Sequence, residues 1–169
     1  MLRISKKADY AVFLLGAIAR EGAFPGGPAA GSVVSAHEIA QQARLNKSVV
    51  ANLLKLFARD GILESVRGLK GGYRLRRTPQ QITLGAILSV VDGPLNLVDC
   101  LRPDGSLETG LDHHCNLITF CPTKNPMRIV HERIGQLFEQ ITLAEMCGLS
   151  GCPATRVQLA PASLAGSPR

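Results

Sequence analysis

Two capped helices joined by a tight turn, a glycine-tipped basic hairpin directly after them and an amphipathic helix late in the chain predict a mainly α fold with a small β-wing. The expected architecture is a winged helix-turn-helix domain plus a long C-terminal dimerisation helix. With 169 residues, 46% of them hydrophobic, the chain can bury one proper core and carry an appended segment. The expected boundaries are 1–93 for the winged helix-turn-helix, 94–124 for a cysteine-rich loop and 125–146 for the dimerisation helix. Residues 147–169, dominated by Gly, Ser, Pro and Ala, read as a poorly ordered tail.

Taken in order, Leu2-Arg3-Ile4 reads as a short strand and Ser5 as the N-cap of the first helix. Tyr10, Phe13, Leu14, Ala17 and Ile18 keep helical spacing there, and Gly22 suits the C-terminal end. The apolar run Ala11–Ala19 after Arg3, Lys6 and Lys7 mimics a secretory signal. Asp9 and Tyr10 interrupt that pattern, however, and Arg20-Glu21 stand where small cleavage-site residues belong. No apolar run is long enough to span a membrane. A soluble, cytoplasmic protein with reduced thiols is therefore expected.

Residues 22–32 (GAFPGGPAAGS) read as a mobile loop. Ser35 and Glu38 then form an S-x-x-E capping box, in which each side chain satisfies a free N–H of the first turn. A tight turn at Arg44-Leu45-Asn46 leads into a second helix, Lys47–Arg59, with an apolar stripe of Val50, Leu53, Leu54 and Phe57. A helical hairpin and a helix-turn-helix fit this pair equally; the next segment decides. Residues 62–66 read as a strand, 67–72 as a flexible basic turn and 73–77 as the return strand. Five basic residues lie between Arg67 and Arg77. Glycines let a backbone approach the sugar-phosphate wall, and arginine can enter a narrow minor groove. The bland alternative is a solvated basic hairpin. The net charge of +6 also fits a polyanionic partner.

Thr83 caps a short helix, Leu84–Asp92, stopped by Gly93-Pro94. Asn125-Pro126 reads as an N-cap and first helical position for a helix reaching about Gln140, whose Ile129, Val130, Ile134, Leu137, Phe138 and Ile141 form an apolar face to be covered by core packing within the chain or, as expected here, by dimerisation. Thr142 and Glu145 form another capping box, opening one further turn. Paired carboxylates, a nucleophile motif and a phosphate loop in a strand–helix setting are all lacking, so catalysis is not expected.

Three of the five cysteines, Cys100, Cys115 and Cys121, lie in the turn-rich stretch between the reader and the late helix. An odd number argues against a simple disulfide framework. Zinc is disfavoured, because its structural sites usually space cysteines two to four residues apart. Cys147 and Cys152 read as surface thiols, with a redox pair or an extra ligand as the alternatives.

These pieces resemble the winged helix-turn-helix iron–sulfur transcriptional regulator family (IscR/NsrR/RirA-like). The matching segments are LRISKKADYAVFLLGAIA, SAHEIAQQARLNKSVVANLLKLFARDGILESVRGLKGGYRL, ITLGAILSVVDGP and the three-cysteine loop. The most specific is the VRGxxGGY wing, Val66 to Tyr73. The resemblance implies a homodimer with swapped C-terminal helices on a pseudo-palindromic double-stranded DNA operator, its recognition helices in major grooves roughly 34–36 Å apart. It makes Ser48 and Asn52 base-reading residues, puts Lys47 and Lys55 on phosphates, and assigns Arg67, Lys70 and Tyr73 to the wing contact, with Arg67 in the minor groove. Ala51 departs from the glutamate of IscR-type members.

The resemblance also implies that Cys100, Cys115 and Cys121 hold an iron–sulfur cluster, for which soft thiolates are suited. The gap of fourteen residues between Cys100 and Cys115 is longer than the family's, whereas the Cys-x5-Cys spacing after it fits. For the fourth ligand, Lys124 stands where IscR-type members have a histidine. Asp9 matches the aspartate that NsrR-type members donate from the other subunit, which favours a 4Fe-4S over a 2Fe-2S cluster. The alternatives are that Asp9 merely complements the helix dipole, or that His113 or His114 serves. The implied function is a DNA-binding regulator, expected to repress, whose operator affinity depends on a cluster sensing nitric oxide, oxygen or redox state, or iron status. Two other readings stand beside it: a cluster-free thiol-redox DNA-binding regulator, and an iron–sulfur carrier that does not bind DNA.

Overall fold

The fold is organised around α1 (Lys6–Arg20), which packs against α2 (Ala36–Ala43), α4 (Leu84–Asp92) and α6 (Leu143–Met146). The computed structural model describes residues 4–68, 70–98 and 120–149. Ser5 caps α1: its hydroxyl accepts the Ala8 N–H at 3.0 Å and donates to Asp92 Oδ1 at 2.8 Å, tying the start of α1 to the end of α4. Leu14, Leu15 and Ile18 are completely buried. Phe13, on the same sequence pattern, is 44% exposed, because it stands about 160° round the helix from Leu15. Leu2 and Arg3 of the expected first strand lie outside the described residues, and Ile4 belongs to no strand.

Residues 22–32, expected as a loop, form a run of hydrogen-bonded turns. Successive turns close them, with Phe24 N–H on Gly22 O, Gly27 on Phe24, Ala30 on Gly27 and Ser32 on Ala29. Ala23 is buried, and its carbonyl accepts the Leu75 N–H at 2.9 Å. Gly and Pro in sequence suggest looseness, but the same residues build consecutive turns.

The reciprocal bonds of the capping box open α2, Glu38 N–H to Ser35 Oγ at 3.1 Å and Ser35 N–H to Glu38 Oε2 at 2.9 Å. The Ser35 N–H holds the Glu38 carboxyl below its ordinary range. Arg44, in the left-handed region at φ 51°, ends α2 and turns the chain into α3 (Lys47–Arg59). Val50, Leu54 and Phe57 of α3 are fully buried, which fixes the opposite face outward. The wing pairs β1 (Leu63–Val66) with β2 (Gly72–Leu75) antiparallel, Leu63 opposite Leu75 and Val66 opposite Gly72. Both strands are shorter than the sequence suggests, although the Arg76 N–H still donates to Ile62 O at 3.0 Å.

Thr83 caps α4, and Gly93 at φ +86° ends it. Helix α5 (Lys124–Gln140) starts with Thr123 at its cap rather than Asn125. Pro126 then occupies the third helical position, where the N–H would have no intrahelical acceptor anyway. None of α5 is buried, and Ile129 and Val130 are 45% and 43% exposed. The chain then turns back to the body. Main-chain pairs from Leu84 N–H to Ile141 O and from Leu143 N–H to Ile82 O, both 2.8 Å, staple it in place. Leu143 and Ala144 of α6 are fully buried, and Leu143 enters the same core as Leu15, Ile39 and Phe57.

Candidate nucleic-acid interface and thiol centre

The outward face of α3 carries the expected readers together. Lys47, Ser48, Asn52 and Lys55 are all exposed, with Ser48, Asn52 and Lys55 recurring along one stripe. Asn46, a turn residue in the sequence reading, organises the first turn: its Oδ1 accepts both the Ser48 N–H at 2.9 Å and the Ser48 hydroxyl at 2.8 Å. The Ser48 proton is therefore committed, and its oxygen faces outward as an acceptor. The N-cap preference of asparagine could have signalled this from sequence.

On the wing, Arg67 and Lys70 are exposed and Leu69 lies outside the described residues. Tyr73 is half-buried against the core, and its N–H and C=O exchange 2.9 Å bonds with Val34. It fastens the wing to the body as well as lying within it. Arg74 is spent inside the protein, donating to Glu64 through Nε at 3.0 Å and Nη2 at 3.1 Å as its cross-strand partner. Of the five basic residues in the hairpin, this one is already neutralised, and it holds the Glu64 carboxyl below its ordinary range. The wing glycines are also partly internal. A Cβ on Gly72 would meet the Val34 carbonyl oxygen at 2.5 Å, so the crossing of residue 34 requires glycine there.

Of the expected thiolate set, Cys100 and Cys115 lie outside the described residues, as do His113, His114 and Cys152. Cys121 sits three residues before α5, with Sγ 3.1 Å from Thr123 Oγ1. Hydrogen bonds from the Thr123 hydroxyl and N–H, with help from Lys124, pull its thiol below the ordinary value. Asp9 is exposed in the first turn of α1. Among the described residues no three His, Cys, Asp or Glu side chains converge. Cys147 is not a plain surface thiol: it is half-buried over Gly16 of α1, and burial pushes its thiol up. His131 is half-buried on α5, and its Nδ1 has no partner among the described residues.

A family profile described as Rrf2, iron-dependent transcriptional regulator, matches residues 4–148, a span that contains every helix and strand from α1 to α6. The chain belongs to the Rrf2 family. Its relatives include the transcriptional regulator IscR of Yersinia pseudotuberculosis, 28% identical over 145 residues covering 86% of this chain and 79% of the relative. IscR of Serratia proteamaculans is 27% identical over 148 residues, with the same coverage. Among solved structures, IscR of T. potens is 27% identical with a TM-score of 0.58, covering 87% of both chains. CymR, the global cysteine regulator of B. subtilis, has a TM-score of 0.62 at 24% identity, covering 89% of this chain and 99% of that one, a likeness of fold. This Rrf2 protein is thus a transcriptional regulator with a DNA-binding fold, not an enzyme. No helix among the described residues is long and apolar enough to cross a membrane.

Proposed function

We propose that this Rrf2 regulator is a homodimeric, operator-binding repressor whose affinity is set by an iron–sulfur cluster on Cys100, Cys115 and Cys121. Asp9 of a second copy would complete a 4Fe-4S site. The observation behind the reading is Cys121, three residues before α5, whose Sγ lies 3.1 Å from Thr123 Oγ1 and whose thiol those hydrogen bonds hold below its ordinary value, easing formation of the thiolate that ligates iron. Thiolates with one carboxylate are a donor set that fits such a cluster, and the exposed Asp9 carboxylate is accessible to another chain. The uncovered Ile129 and Val130 on α5 support a second copy, since an apolar helix face left to water is unfavourable. When bound, a cluster supplies a redox- and ligand-sensitive tie between thiolates. The chain's own residues do the rest: Cys121 precedes α5 at one end, and at the other Glu139 accepts the Thr83 hydroxyl at 2.8 Å, which ties α5 to the start of α4.

The same lowered Cys121 thiol suits a second reading, a cluster-free regulator switched by disulfide formation. Anaerobic purification with visible spectroscopy and iron and sulfide analysis separates the two. The cluster reading expects a coloured dimer that loses both elements in Cys115→Ala while keeping its helical content. Colourless protein, or a variant with full iron and sulfide, would refute it. A carrier that ignores DNA would leave no salt-dependent footprint on the protein's own promoter.

A further inference from the structure

The base-facing end of α3 presents one large apolar side chain to solvent. Val49 lies in its first turn and is 37% exposed, while Val50 beside it is completely buried. In a helix-turn-helix the N-terminal residues of the second helix are the ones that reach base edges. The major groove offers a single apolar group there, the thymine 5-methyl.

The surroundings restrict what else this turn can do. The Ser48 hydroxyl proton points back to Asn46 Oδ1 at 2.8 Å, which leaves Ser48 an acceptor. Ala51 offers only a methyl. The Asn46 bonds to both Ser48 groups fix the turn, and valine has one strongly preferred rotamer in a helix, so Val49 is held out with little freedom to lose on binding.

We propose that Val49 reads a thymine methyl in each operator half-site and so sets a T·A preference at one position. This rests on α3 being the recognition helix. The test uses the full-length protein, purified anaerobically, and a random-sequence duplex library. Wild type should enrich thymine at one position per half-site. Replacing that dT by dU, which removes only the methyl, should weaken binding about fourfold per half-site, the effect of one buried methyl-sized group. Val49→Ala should melt like wild type, keep its salt dependence, lose the preference at that position and become indifferent to dU. Val49→Thr, which retains one methyl, should keep part of the dU effect. If Val49→Ala selects the same consensus with the same dU sensitivity, the inference is overturned while the α3 reading stands. If wild type enriches no sequence at all, both fall.

Discussion

The seating of α6 on α1 can be tested by a substitution whose sign should depend on a residue 131 positions away in the chain. Gly16 is buried in the middle of α1, and a methyl added there would lie 2.5 Å from Cys147 Sγ and 3.9 Å from its Cβ. Glycine inside a helix costs roughly 0.5–1 kcal/mol relative to alanine. Gly16→Ala therefore brings that gain, and the crowded sulfur opposes it by about 1–3 kcal/mol, the usual range for overpacking. In wild type the net should be a loss of about 0–2.5 kcal/mol. In a Cys147→Ala background the nearest atom retreats to ordinary contact distance, and the same change should stabilise by roughly 0.5–1 kcal/mol. Urea unfolding of the four proteins, under reducing conditions and at fixed protein concentration, measures the coupling. An effect of Gly16→Ala that is equal in both backgrounds, within about 0.5 kcal/mol, would refute the packing of Cys147 into the Gly16 notch.

Leu143→Ala should lower stability by about 2–5 kcal/mol, because its side chain is fully buried in the common core. A cost below about 0.5 kcal/mol, the size of a surface change, would mean α6 is not part of that core. Glu64→Gln should free Arg74, whose side chain is already 32% exposed, to meet phosphate, steepening the log–log salt dependence of DNA binding by about 0.9 per protomer. An unchanged slope in filter-binding titrations would show that Arg74 stays off the DNA. Ser35→Ala should lower the melting temperature by about 2–4 °C near neutral pH through loss of the cap. The Glu38 carboxyl is held below 4.5 in the fold, so its contribution is fully present above that value and lost as pH falls through the lower folded value. The gap between Glu38→Ala and wild type should therefore narrow in melts below pH 4.5, and a gap that widens would contradict the assignment.

Local chemistry was legible in the sequence where both partners lie within a few residues. The capping boxes at Ser35/Glu38 and Thr142/Glu145 and the stops at Gly22 and Gly93 are of this kind. So is the hairpin, because alternation and turn glycines specify it without reference to the rest of the chain. Long-range pairings were not legible. Gly16 carries no sign of the sulfur above it, Arg74 none of its pairing with Glu64, and Gly72 none of the Val34 carbonyl that crosses it. Phe13 shows the limit from the other side: helical spacing marked it as apolar, but which arc of α1 is buried depends on where α4 and α6 sit. At the thiol centre the spacing and the resemblance pointed to donors, yet only Cys121 of the three cysteines falls within the described residues.

On the function proposed above, α5 is the route by which a change at Cys121 reaches α3. The helix is about 25 Å long from its 17 residues, and its far end engages the body. There Glu139 takes the Thr83 hydroxyl, the same group that accepts the Ala86 N–H to cap α4. The Glu139 carboxylate also lies over Gly85, in the space a Cβ there would take. Immediately afterwards the chain pairs with Ile82 and Leu84 and carries α6 into the core beside α1. Helix α5 thus packs on α4 and leads directly into α6, and α4 in turn packs on α3. Sites coupled in this way respond as rigid units, because close-packed cores shift between discrete arrangements instead of deforming smoothly. On the function proposed above, the exposed Ile129 and Val130 of α5 dock the second copy, and the Glu139–Thr83 bond couples that helix to the start of α4.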